Sequence, residues 1–170
     1  MRGFIDRPLI NAHAGKAEST ARETAAVGPA WTTGRAAKRG RLTPMAWNAV
    51  LSALEDEHDM AAFTAAIIAR YGADEALLAK KVAIEERIRD LGAILRRYEE
   101  VVPDIVGRAE RIGAAPDDAA AAYQALLEAD AAGARLYDEV LLRPVEVFSD
   151  IAEFFQRRIS AAQASSRRRP

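Results

Sequence analysis

The chain has 170 residues, a formal net charge of −1, no cysteine and two histidines, and half of it is hydrophobic. That length suits one domain with a core of its own, and the missing cysteine removes disulfides, thiolate metal sites and thiol nucleophiles. The near-neutral total hides an asymmetry: residues 1–42 carry +5, residues 43–156 carry −11 and residues 157–170 carry +5, so an acidic body lies between two basic ends.

No apolar run approaches the roughly 18 residues that span a bilayer, and the Met1 to Leu9 region lacks the apolar stretch of a secretory signal. The expectation is a soluble, intracellular and cytoplasmic protein with no transmembrane segment. An Arg-bearing leader rich in Ser, Thr and Ala also has the composition of an organellar import signal, which Asp6, Glu18 and Glu23 weaken. Much of the hydrophobic half is alanine, which favours helix and buries little, so helices should pack closely around a thin core.

Residues 1–42 show no sustained apolar period: Phe4, Ile5, Leu9 and Ile10 form one small cluster, and Val27 and Trp31 are scattered. Such a stretch cannot offset its own chain entropy and reads as a basic arm, extended or disordered unless a partner orders it. Its charge concentrates at Arg35, Lys38, Arg39 and Arg41.

Thr43-Pro44 is a helix start, with Thr as N-cap and Pro at the first helical position. Trp47, Val50, Leu51 and Leu54 then share a face, and Met60, Phe63, Ile67 and Tyr71 form a second set. The polar run Glu55 to Asp59 between them predicts either two helices broken near residues 56–59 or one helix bent there. Gly72 closes the element and Asp74 caps the next.

From Glu75 to Val102 the apolar residues Leu77, Ile84, Ile88, Leu91, Leu95, Tyr98 and Val102 fall at steps that alternate between four and three from Ile84 onward. That coiled-coil-like spacing predicts one long helix, interrupted at Lys81 and supported by a Glu85–Arg89 surface pair. Ile94 and Val101 widen the stripe beyond a two-stranded seam and favour a bundle. Pro103 ends the helix, short turns occupy Asp104 to Ile112, and Pro116-Asp117-Asp118 opens a second long helix to about Leu142. Tyr123, Leu126, Leu127, Ala134, Tyr137, Val140 and Leu141 supply its apolar face, and Gly133 permits a close approach. Pro144 interrupts the chain before a docking helix that carries Phe148, Ile151, Phe154, Phe155 and Ile159, and the polar tail from 161 ends in Arg167, Arg168 and Arg169.

The fold expectation is therefore all-α: a long antiparallel helical hairpin of about 75–102 and 117–142 with shorter flanking helices. It divides as a flexible basic arm at 1–42, a helical bundle domain at 43–160 and a basic tail at 161–170.

Catalysis needs a nucleophile with a base, paired carboxylates in a dry pocket or a bound cofactor, and no motif for these is evident. His13 lies in the arm and His58 in an acid cluster, and no glycine-rich phosphate loop occurs. Glu55-x-x-His58 has the helical spacing of half a di-iron site, but the second such pair is missing, and the Glu55, Asp56 and Asp59 oxygens lack the Ca²⁺-loop spacing. The acidic run reads as a solvated bend, with no metal and no cofactor assigned.

The preferred reading is a non-enzymatic interaction or assembly protein. Surplus apolar surface at Ile84, Ile88, Leu91, Leu95, Tyr98, Phe148, Phe154 and Phe155 would serve self-association or docking into a larger complex as a structural component. Arg35, Lys38, Arg39, Arg41 and Arg167 to Arg169 would contact an acidic partner. The alternative is a nucleic-acid-binding oligomer, for example a phage-type packaging protein, whose basic ends grip phosphate while Trp31 stacks on a base. An enzyme with an unrecognised site comes third.

Overall fold

The computed structural model describes residues 40–167, with side chains through residue 164. These residues are all helical where regular, with no strand among them. Four helices, α1 (Pro44–Tyr71), α2 (Glu75–Arg97), α3 (Ala119–Leu136) and α4 (Ser149–Arg167), are joined by short helical turns. None of the described helices is long and apolar enough to cross a membrane.

The helix starts follow the side-chain caps. Thr43 Oγ1 accepts from the Ala46 N–H at 3.2 Å, Asp74 from Leu77 at 2.7 Å and Asp118 from Ala121 at 2.8 Å, each satisfying a donor that the first turn leaves orphaned. Gly72 ends α1 at φ +86°, a backbone conformation that glycine adopts at little cost.

Three expectations change. First, of the two readings of α1 the single helix stands: it runs through Glu55–Asp59 with no break near 56–59. That run is not a solvated bend, because Glu57 and Asp59 point inward and are buried. Second, α2 stops at Arg97 rather than Val102, since Glu99 takes a left-handed φ of +59° and Asp150 of α4 holds both Arg97 (2.7 Å) and the Tyr98 hydroxyl (2.6 Å). The Glu85–Arg89 side-chain pair is also replaced: Glu85 pairs with Lys81 at 2.7 Å, and Arg89 lies 3.8 Å from Glu86. Third, α2 lays its inner face chiefly on α1, not on α3. The three-residue link at 72–74 makes α1 and α2 antiparallel neighbours. The connection at 98–118 instead crosses α1, where Gly107 sits so close that an added Cβ would lie 2.0 Å from the His58 carbonyl oxygen. Asp59 fastens this crossing by accepting from the Arg108 N–H at 2.7 Å and pairing with Arg111 at 3.4 Å.

α3 packs on α1 and α4, then widens into a π-helical turn at Tyr137–Leu141 and a 3₁₀ turn at Arg143–Val145. α4 continues helical to Arg167, past the expected start of the tail. Among the described residues the interior has two hydrophobic clusters. One gathers Val50, Leu54, Leu91, Leu95, Ile151 and Phe155, and the other Met60, Phe63, Ile67, Leu77, Ile84 and Leu126.

Candidate functional site

Between the two clusters, each helix turns at least one charged residue inward. Glu57 follows Leu54 and precedes Met60 on the buried face of α1; Arg87 stands between Ile84 and Leu91 on α2; Asp130 stands between Leu126 and Ala134 on α3; Arg158 lies between Phe155 and Ile159 on α4. Each occupies a position that helical spacing reserves for an apolar side chain. Folding therefore draws all four into one layer.

Glu57 is wholly buried, and its Oε1 accepts from Arg87 Nε at 2.7 Å, from Arg158 Nε at 3.2 Å and from the Tyr137 hydroxyl at 3.2 Å. Arg158 Nη2 donates to Asp130 Oδ1 at 2.7 Å and to the Asp130 carbonyl at 3.2 Å, while Lys80 Nζ reaches Asp130 Oδ2. The Arg158 guanidinium lies 5.8 Å from the centre of the Tyr137 ring, which meets Phe155 edge to face at 4.9 Å. With Asp56 beside Glu57, the layer holds three acids and three bases, and the ion pairs on Glu57 and Asp130 offset the cost of burying those two charges.

The same neighbours set the protonation states. Burial disfavours charge on Asp130, but Arg158 and the Lys80 bond outweigh it and hold its carboxyl below the usual value. Burial also works against Arg158, yet Glu57 and Asp130 keep its pKa above the ordinary arginine value. Burial first, then Glu57, push the Tyr137 phenol well up, so it serves as a neutral donor. Asp56 differs: burial, reinforced by Glu57, raises it to about 6. Its Oδ2, together with Glu57 Oε2 and Arg87 Nη2, is buried with no hydrogen-bond partner. Asp56 Oδ2 faces Gly133, where a Cβ would lie 2.8 Å away, so the close approach expected of that glycine is made to a carboxylate.

This layer can hold helices together and exchange one proton. Among the described residues no three His, Cys, Asp or Glu side chains converge as a metal site, and Asp59, a residue of the acidic run, is committed to the crossing segment. Helical spacing pointed to the acidic run but not to its partners. The available signal was a charged residue within an otherwise apolar face on each of four helices.

The residues expected at a partner surface are largely buried within the chain itself. Ile84, Leu91 and Phe155 are fully buried, Leu95, Tyr98 and Phe154 nearly so, and Ile88 and Phe148 are partly covered. This corrects the expected exposed seam: α1, the π turn and α4 cover it. Of the basic contacts, Arg41 is exposed at the entry to α1, while Arg35, Lys38, Arg39, Arg168 and Arg169 lie outside the described residues, as does the side chain of Arg167.

Apolar surface appears elsewhere. An open groove of about 260 Å³ runs between α1, at Met45, Asn48 and Ala49, and the turns at Val140, Leu141 and Pro144. Ala49 and Leu141 are buried, whereas Met45 is 69 % and Val140 55 % exposed. The wall opposite α1 is the end of the π turn that Tyr137 begins, and Tyr137 is bonded into the charged layer. Comparison with protein-family models, with characterised proteins and with solved structures finds no match.

Proposed function

We propose that the chain is a non-enzymatic helical interaction protein. Its acidic bundle docks a partner protein through the Met45–Val140 groove, and the basic segment that ends at Arg41 holds an acidic face of the same partner. The observation that supports this reading is the pairing of two large exposed apolar side chains across one groove, with exposed Arg41 four residues before Met45. Arg39 and Lys38 are tethered within three residues of Arg41, a reach of about 11 Å of chain. The body between the two basic ends is acidic, so an acidic partner is drawn to the ends and repelled by the body, which biases its approach before contact.

A photo-crosslinking residue at Met45, introduced into cells that naturally contain the protein, tests the reading once the adduct is rebuilt from purified components. Val140→Asp is expected to weaken the rebuilt complex about tenfold or more, roughly 1.4 kcal/mol. Added salt is expected to slow association. A rebuilt complex indifferent to Val140→Asp overturns the proposal. So does an adduct that is nucleic acid, which favours phosphate contact by the basic segment instead.

A further inference from the structure

Asp56 and the groove belong to one mechanical unit. The Asp56 carboxyl meets the backbone of α3 at Gly133, and one turn later Tyr137 bonds back to α1 through the Ala53 carbonyl (3.4 Å) and Glu57 Oε1 (3.2 Å). Another turn on, Val140 and Leu141 form the wall of the groove that faces Met45 and Ala49. The Tyr137 bonds to α1 lie between Gly133 and that wall, so a change of spacing at Gly133 would reach the wall through Tyr137.

We propose that the proton on Asp56 controls how far this groove stands open: with it the α3 end closes on α1, and without it the wall moves outward. The use of this control rests on the groove being the docking surface; the movement itself does not.

The groups around Asp56 explain why loss of the proton is disruptive. Glu57 and Asp59 lie on its own helix, Arg87 and Lys80 face the layer from α2, Asp130 from α3, Arg158 from α4 and the Tyr137 hydroxyl from the π turn. Arg158 and Lys80 are engaged on Glu57 and Asp130, and Arg87 binds Glu57 through Nε while its Nη2, with no hydrogen-bond partner, lies 3.9 Å from Asp130 Oδ1 and is not bonded to Asp56. An ionised Asp56 adds a third carboxylate with no hydrogen-bond partner for its buried oxygen. A charge left so is relieved by helix separation and hydration. A protonated Asp56 has the same shape but no charge, so its place against Gly133 costs far less in desolvation.

The chain has no cysteine, so two introduced ones are labelled uniquely. Spin labels at Asn48→Cys and Glu139→Cys report the spacing of α1 and the π turn in the full-length protein without a partner. The distance is expected to lengthen from about pH 5 to about pH 8 with a midpoint near 6, to stay short throughout in Asp56→Asn, and to keep its transition in the surface control Glu146→Gln. A distance constant with pH in the otherwise unaltered chain overturns the proposal, whatever the variants do. A transition that survives Asp56→Asn, or that runs in the opposite direction, does the same. A groove that opens with pH yet binds no partner sinks the docking reading alone.

Discussion

Gly133 is set by a neighbour rather than by its backbone. Alanine in its place gains helix propensity of about 1 kcal/mol, but its Cβ would lie 2.8 Å from Asp56 Oδ2 and 3.4 Å from Arg158 Nη2. Both belong to a packed layer, where overpacking costs about 1–3 kcal/mol. Gly133→Ala is therefore expected to destabilise the fold by roughly 1 kcal/mol, measured by urea unfolding. The same change made in an Asp56→Ala background, with the carboxylate gone, is expected to turn neutral or stabilising. Equal effects in both backgrounds would show that the two residues are not coupled.

At the scale of elements, the long connection at 98–118 decides which helices are neighbours. Its anchor is the contact of Gly107 with α1, where a side chain would meet the His58 carbonyl and the Asp59 backbone nitrogen, neither of which can swing aside. Gly107→Ala is expected to cost about 3 kcal/mol, at the upper end of overpacking penalties, and to increase hydrogen exchange at Arg108, whose N–H bonds Asp59. Unchanged stability would mean that the crossing is not needed to place α3.

Helix ends were legible in the sequence because they are local. Thr43, Asp74 and Asp118 each cap a donor three residues on, and Gly72 supplies a positive φ. The faces were legible as apolar, but their partners were not. Leu91 and Leu95 carry the same spacing whether their cover comes from Val50 and Phe155 of the same chain or from another molecule. Glu57 illustrates the limit for the candidate site: within its own helix it reads as one of several solvated acids, and only Arg87, Tyr137 and Arg158, from 30 to 101 residues away, make it the centre of a layer. The Met45–Val140 groove has no local sequence signature for the same reason, since its walls are 95 residues apart in sequence.

Across the whole molecule, the charged layer ties stability to pH in two opposing ways. Folding raises Asp56 from 3.8 to about 6, so the folded chain takes up a proton between those values and loses that contribution as pH rises through 6. Asp130 is lowered, so its contribution is present above its unfolded value and fades as pH falls through the folded one. Asp56→Asn removes the first effect alone. The stability difference between the two proteins is expected to change by on the order of 2 kcal/mol between about pH 4 and pH 6.5 and then to level off. Denaturation curves at a series of pH values check this; parallel pH dependences would count against a half-buried, proton-holding Asp56.

The position of the layer also restricts how the rods can slide. If α1 shifted one turn, about 5.4 Å, along α2, an all-apolar stripe would exchange one set of greasy neighbours for another at little cost. Here the same shift would draw the Glu57 carboxylate away from Arg87 Nε, its partner at 2.7 Å. Tyr137 and Arg158 also grip the same Glu57 oxygen, from the π turn and from α4, so both would have to follow it or let go. Stranding one buried charge costs several kcal/mol, an amount comparable to the net stability of a small protein. An alanine-rich bundle with few bulky side chains to define its vertical alignment thus carries an electrostatic latch at mid-height.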